Sequence, residues 1–200
     1  MNDTEQLKDE IYDYILFSQA LCKKAKDIIN NINVNDPREI KNKLDYANNT
    51  NIYFLKLVAN LFISQCIIEL GTLLDKKDAR QKSLYQLITV DEYKTKPKII
   101  DYLNQIHSNF GAKRLWAIRH QFVAHHSKNS KGGPTSIIFS TYKGEYIQSC
   151  EDIIEEIINF WKEHIGYGPG NNMFIDKLES VDGIADQLIK TAKNPRESRN

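Results

Sequence analysis

Two hundred residues, 41% of them hydrophobic, suit one compact domain with its own core. Lysine and arginine number 27 against 26 aspartates and glutamates, a net charge of +1. That near-balance excludes a molecule-wide field for nucleic acid, so any RNA or DNA contact must rest on a local patch. The polar, acidic start Met1-Asn2-Asp3-Thr4-Glu5 does not read as a signal peptide. Cys22, Cys66 and Cys150 are far apart and fit no paired metal spacing. They read as small buried apolar residues in a reducing cytosol.

Residues 4 to about 30 carry Leu7, Ile11, Ile15, Leu21, Ala25 and Ile28 at helical spacing, with asparagines closing the segment. Asp36-Pro37 is a helix start, with Asp as cap and Pro in the first turn, leading a shorter polar helix to Tyr46. Asn48-Asn49-Thr50-Asn51 is expected to break or kink it. From 51 to 74 the chain is apolar nearly all round, as in a helix central to a bundle or covered by a second subunit. Lys56, Asn60, Gln65 and Glu69 interrupt it, which argues for a buried helix over a membrane span. The expectation is a soluble cytoplasmic protein with no membrane partner.

A short helix is expected over 83–88 and another from Pro97 to about 111. A third covers 113 to about 123, with Leu115, Trp116, Ile118, Phe122 and Val123. After the turn Lys131-Gly132-Gly133-Pro134, the segments Ile137-Ile138-Phe139 and Glu145-Tyr146-Ile147 flank Tyr142-Lys143-Gly144 and read as a small β-hairpin. Helix resumes over 151–165 and breaks at Gly166-Tyr167-Gly168-Pro169-Gly170. The expected organisation is a main helical domain over 1–165 and an extension over 166–193. That extension, helical over 176–193, packs on the core, and a disordered tail covers 194–200.

The densest chemistry lies in Arg119-His120-Gln121-Phe122-Val123-Ala124-His125-His126. Arginine stabilises phosphoryl charge and histidine moves protons near neutral pH. On a straight helix Arg119 and His125 stand roughly 240° apart, whereas Arg119 and His126 stand roughly 340° apart and nearly share a face. A loosened helix end, or two copies meeting at a two-fold axis, would bring His125 into play. The plainer reading is a structural ion pair for Arg119 and helix-capping histidines. His120, His125 and His126 lack the paired spacing and the intervening glutamate of a zinc site, so no metal and no other cofactor is expected.

The stretch from Arg119 to His125 resembles the signature of the HEPN superfamily: Arg, a polar residue, further intervening residues, then His. The Ala124-His125 ending is similar to the abortive-infection AbiU-type branch. So are the run from Leu61 to Leu73-Leu74-Asp75 and the segment Lys82-Ser83-Leu84-Tyr85-Gln86-Leu87-Ile88. The likeness spans about residues 5 to 165. It implies an all-α bundle that dimerises, with both copies of the motif lining one cleft. It also implies metal-independent RNA cleavage in an antiphage, abortive-infection or toxin system, with a possible antitoxin or defence-system partner. The ribose 2′-OH would attack the adjacent phosphate and leave a 2′,3′-cyclic phosphate. His125 would then be the general base or acid and Arg119 the phosphate-holding group, each contributing on the order of 10²-fold. His120 would orient the arginine or touch RNA, and His126 stands as the rival histidine. Ser127 occupies the position where toxins of nucleotidyltransferase pairs carry a tyrosine.

Supporting residues follow. Glu69, a carboxylate in the most apolar helix, needs a partner or a polar cleft; it would orient Arg119 or a histidine, with a plain buried ion pair or an exposed edge as equal alternatives. Asp75 reads as ending its helix. Lys113, Arg114, Lys128 and Lys131 would form the local basic patch for RNA, with solvated charge as the plainer account of each. Trp116, Phe122 and Trp161 read as core. The alternative function is a non-catalytic HEPN module that binds RNA or nucleotide, or scaffolds a partner protein.

Overall fold

A computed structural model describes residues 3–33, 46–76, 82–90, 96–124 and 145–166. Among them are six helices: α1 (Asp3–Asn33), α2 (Tyr46–Leu73), α3 (Leu84–Leu87), α4 (Pro97–Ala112), α5 (Leu115–Ala124) and α6 (Glu145–His164). No strand occurs among the described residues. None of these helices is long and apolar enough to cross a membrane.

The helix α2 is central, packing on α1, α5 and α6, while α4 bridges α5 and α6. Leu55, Ala59, Ile63, Cys66, Ile67, Leu70 and Leu73 form its buried face, while the apolar Phe54 and Leu61 on other sides of the helix are exposed. Along α1, Ile11, Ile15, Ser18, Cys22, Ala25 and Ile29 recur every three or four residues and are buried. Ser18 satisfies its hydroxyl by donating to the Tyr14 carbonyl, 2.9 Å away. The α1–α6 contact carries an ion pair, Lys26 to Glu151 at 2.7 Å.

All three cysteines meet in the core, where they are buried and unbridged. The Cys66 thiol donates to the Ser18 carbonyl at 3.3 Å and the Cys22 thiol to the Ile147 carbonyl at 3.6 Å. Burial pushes the Cys66 thiol well above its ordinary range, with the neighbouring thiols of Cys150 and Cys22 adding to the shift.

Two expectations are corrected. The asparagine run 48–51 does not break the chain, because α2 begins at Tyr46 and passes through it. Asparagine costs only about 0.7 kcal/mol or less against alanine in a helix. The apolar packing that follows outweighs that. Glu145-Tyr146-Ile147 is not a strand but the first turn of α6. Ile147, Cys150, Ile154, Ile157 and Trp161 form one buried stripe at spacings of three and four, so the helical period already runs through Ile147. The other half of that hairpin lies outside the described residues. So do the helices expected over 37–45 and 176–193. At the far end of α6 the amides of Ile165 and Gly166 both donate to the Trp161 carbonyl at 2.9 Å. Gly166 takes φ 90°, the left-handed cap that glycine adopts without a Cβ penalty.

Candidate functional site

Arg119 sits on α5 facing the C-terminal end of α2, and its side chain is largely buried, at 14% exposure. Gly71 lies in the last turn of α2 and Asp75 two residues beyond its end at Leu73, four residues on and towards the same side. The arginine stem crosses Gly71, where an added Cβ would overlap its Cδ and Nε. The guanidinium then reaches Asp75, with Nη1 donating to Oδ2 at 3.5 Å. Asp75 lies just past the helix end, where the backbone carbonyls already carry partial negative charge. A cation is therefore favourable at this point, and a lone carboxylate is not.

The contact to Asp75 is long and single, so it fixes the arginine without saturating it. Nε is buried with no hydrogen-bond partner among the described residues. The guanidinium carbon lies over the Trp116 ring of the same helix, 5.4 Å from its centroid. The result is a part-buried arginine that is oriented on three sides and keeps donor capacity. Such a group can hold a phosphate.

Glu69 is half-buried on α2, and burial pushes its carboxyl above the ordinary carboxylate range. A hydrogen bond from Gln65 and the charge of Arg119 pull the other way. Arg119 thus reaches Glu69 only through space, and the residue that grips it is Asp75. His120 is exposed, its ring stacked on Trp116 at 6.3 Å between centroids and 29° between planes.

The expected basic patch divides. Lys113 caps α4 and pairs with Asp152 of α6 at 2.6 Å, which ties its charge to the bundle. Arg114 is exposed in the two-residue link between α4 and α5, at φ 61°. His125, His126, Lys128 and Lys131 lie outside the described residues, and α5 is described as far as Ala124. Among the described residues no group of three His, Cys, Asp or Glu side chains is arranged to hold a metal ion.

Sequence reasoning overlooked Gly71 and His107 and gave Asp75 and Trp116 purely structural parts. A signal was present for the first: a glycine inside an otherwise apolar helix marks a close approach by something else. No signal in one sequence tells which residue approaches. Trp161 is core as expected, 1% exposed and packed on Tyr12 at 5.5 Å. No family model, no curated protein and no solved structure matches the chain, so its own residues carry the functional reading.

Proposed function

We propose that the protein is a metal-independent endoribonuclease of the HEPN type. It acts as a cytoplasmic homodimer on RNA, in an abortive-infection, antiphage or toxin system. Arg119 holds the scissile phosphate and stabilises the charge that develops as the 2′-OH attacks. His125 moves the proton, with His126 as its rival and His120 beside the arginine. A second copy is part of the reading because Arg119 and His125 do not share a face on one straight helix.

The observation that carries this reading is the state of Arg119. It is part-buried, gripped by Asp75 across Gly71, and left with an unpartnered Nε. An arginine held only for stability is expected to use its donors more fully. The Arg119–Asp75 pair also fits a second reading, a non-catalytic module that binds RNA or nucleotide or scaffolds a partner.

Purified protein is expected to cut RNA in EDTA and to leave a 2′,3′-cyclic phosphate. Arg119→Ala and His125→Ala each lower the rate at least 100-fold. Undiminished cleavage in both variants rules this site out. RNA binding without cleavage by the wild type selects the second reading. Growth of cells expressing the wild type, His125→Ala or His126→Ala decides between the histidines, and sedimentation gives the oligomeric state.

A further inference from the structure

Beside Arg119 runs a belt of aromatic rings drawn from three helices, α3, α4 and α5. Tyr85 of α3 meets His107 of α4 edge to face, with centroids 6.3 Å apart and planes at 86°. His107 meets Trp116 of α5 at 5.1 Å and 46°. Trp116 is followed by the stacked ring of His120. Tyr85, His107 and Trp116 are part-buried and His120 is exposed, whereas Phe110, Phe160 and Trp161 are fully buried in the core. A cation stands at each end: Arg119 over Trp116, and Lys76 with its Nζ 5.2 Å from the Tyr85 centroid. Lys76 is exposed and is steadied by Asn104, whose Oδ1 accepts its proton at 2.7 Å.

We propose that Tyr85, His107 and Trp116 form a stacking platform for the unpaired bases of single-stranded RNA, with Lys76 meeting a backbone phosphate at the end away from Arg119. The inference rests on the ribonuclease reading, in which Arg119 holds the scissile phosphate. Splayed bases offer π-faces to rings and edges to polar atoms. The belt offers rings to stack on, and its two histidines carry ring nitrogens for base edges; Trp116 Nε1 is buried and takes no part. Spaced cations at the two ends suit a strand whose phosphates repeat along it, which a free nucleotide does not. Burial and the charge of Lys76 hold His107 below its ordinary value, so its ring is neutral at neutral pH and stacks without repelling Lys76.

The test uses the 200-residue chain and a fluorescein-labelled decamer of 2′-O-methyl RNA, which binds but lacks the attacking hydroxyl. Trp116→Ala and Tyr85→Ala each weaken binding about tenfold or more, while Trp116→Phe keeps most of it. Circular dichroism confirms that the variants fold. A 4-thiouridine version of the decamer, cross-linked to the wild type and mapped by mass spectrometry, attaches to Tyr85, His107 or Trp116, a readout that needs no variant. The same sequence as a duplex binds more weakly, because its bases are not free to stack. Cross-links confined to other regions, equal binding of the duplex, or wild-type affinity in Trp116→Ala each overturn the platform. If the wild type cuts RNA at the Arg119 site while the belt variants bind normally, only the platform falls. If the wild type neither binds nor cuts RNA, the ribonuclease reading falls with it.

Discussion

Gly71 leaves open the space through which the side chain of Arg119 runs: a single methyl group there would overlap the arginine's Cδ and Nε. The position of Arg119 is therefore set by an absent side chain on another helix, 48 positions earlier in the chain by the two residue numbers.

Gly71→Ala is expected to displace Arg119 from Asp75 and to lower RNA cleavage at least tenfold. Stability changes less, because overpacking of about 1–3 kcal/mol is offset by up to about 1 kcal/mol of improved helix propensity. Cleavage rate and thermal midpoint measured together separate the two effects. Wild-type cleavage in this variant contradicts the assigned place of Arg119.

Asp75→Asn removes the charge that orients Arg119 but keeps the shape. The two side chains are 14% and 21% exposed and their contact is long, so a double-mutant cycle with Arg119→Gln is expected to give a coupling of about 1 kcal/mol. Denaturant unfolding measures it. A coupling of zero means that Asp75 does not hold the arginine.

Arg114 adopts φ 61° without being glycine. The left-handed conformation costs an L-residue with a Cβ about 1–2 kcal/mol, and some of this is returned because glycine is freer in the unfolded chain. Arg114→Gly is therefore expected to raise stability by up to about 1 kcal/mol. It is also expected to weaken RNA binding and flatten its salt dependence, since an exposed cation is lost. A stabilised variant with unchanged RNA affinity removes Arg114 from the interface.

His107 is held below its ordinary value of 6.5 by burial and by Lys76, with Asp75 opposing. The unfolded chain then binds the proton more readily than the folded one, so stability rises with pH through this window. Read downward, stability declines as pH falls from about 7 through the depressed pKa. Glu69, whose carboxyl is raised, contributes with the opposite sign at lower pH. The difference between wild type and His107→Gln therefore isolates the histidine, and the variant is expected to lose less stability between pH 7 and pH 5. Parallel melting curves across that range refute the assignment.

Cys22, Cys66 and Cys150 are at most 1% exposed and the Cys66 thiol is held protonated. Native protein is expected to resist a thiol-specific reagent, and guanidinium to release three reactive thiols together. Rapid labelling of any one of the three in buffer means that the α1–α2–α6 core opens locally.

The amino-acid sequence by itself determined the helical class, because apolar spacings of three and four residues mark one buried face along α1, α4 and α6. It also located the short helix at 84–87 and the break at Gly166, where capping and φ > 0 are local matters. It misplaced the start of α6 and expected a break at 48–51. In both cases packing against partners distant in sequence outweighs the weak preferences of a few residues. Arg119 was legible as chemistry from its neighbours in the chain, but its environment was not. The tertiary structure decided that Asp75 grips it, that Gly71 admits it, and that three cysteines scattered through the sequence converge. It also lined up Tyr85, His107 and Trp116 beside it. Each is a contact between helices, fixed by how their surfaces pack, and no local spacing encodes it.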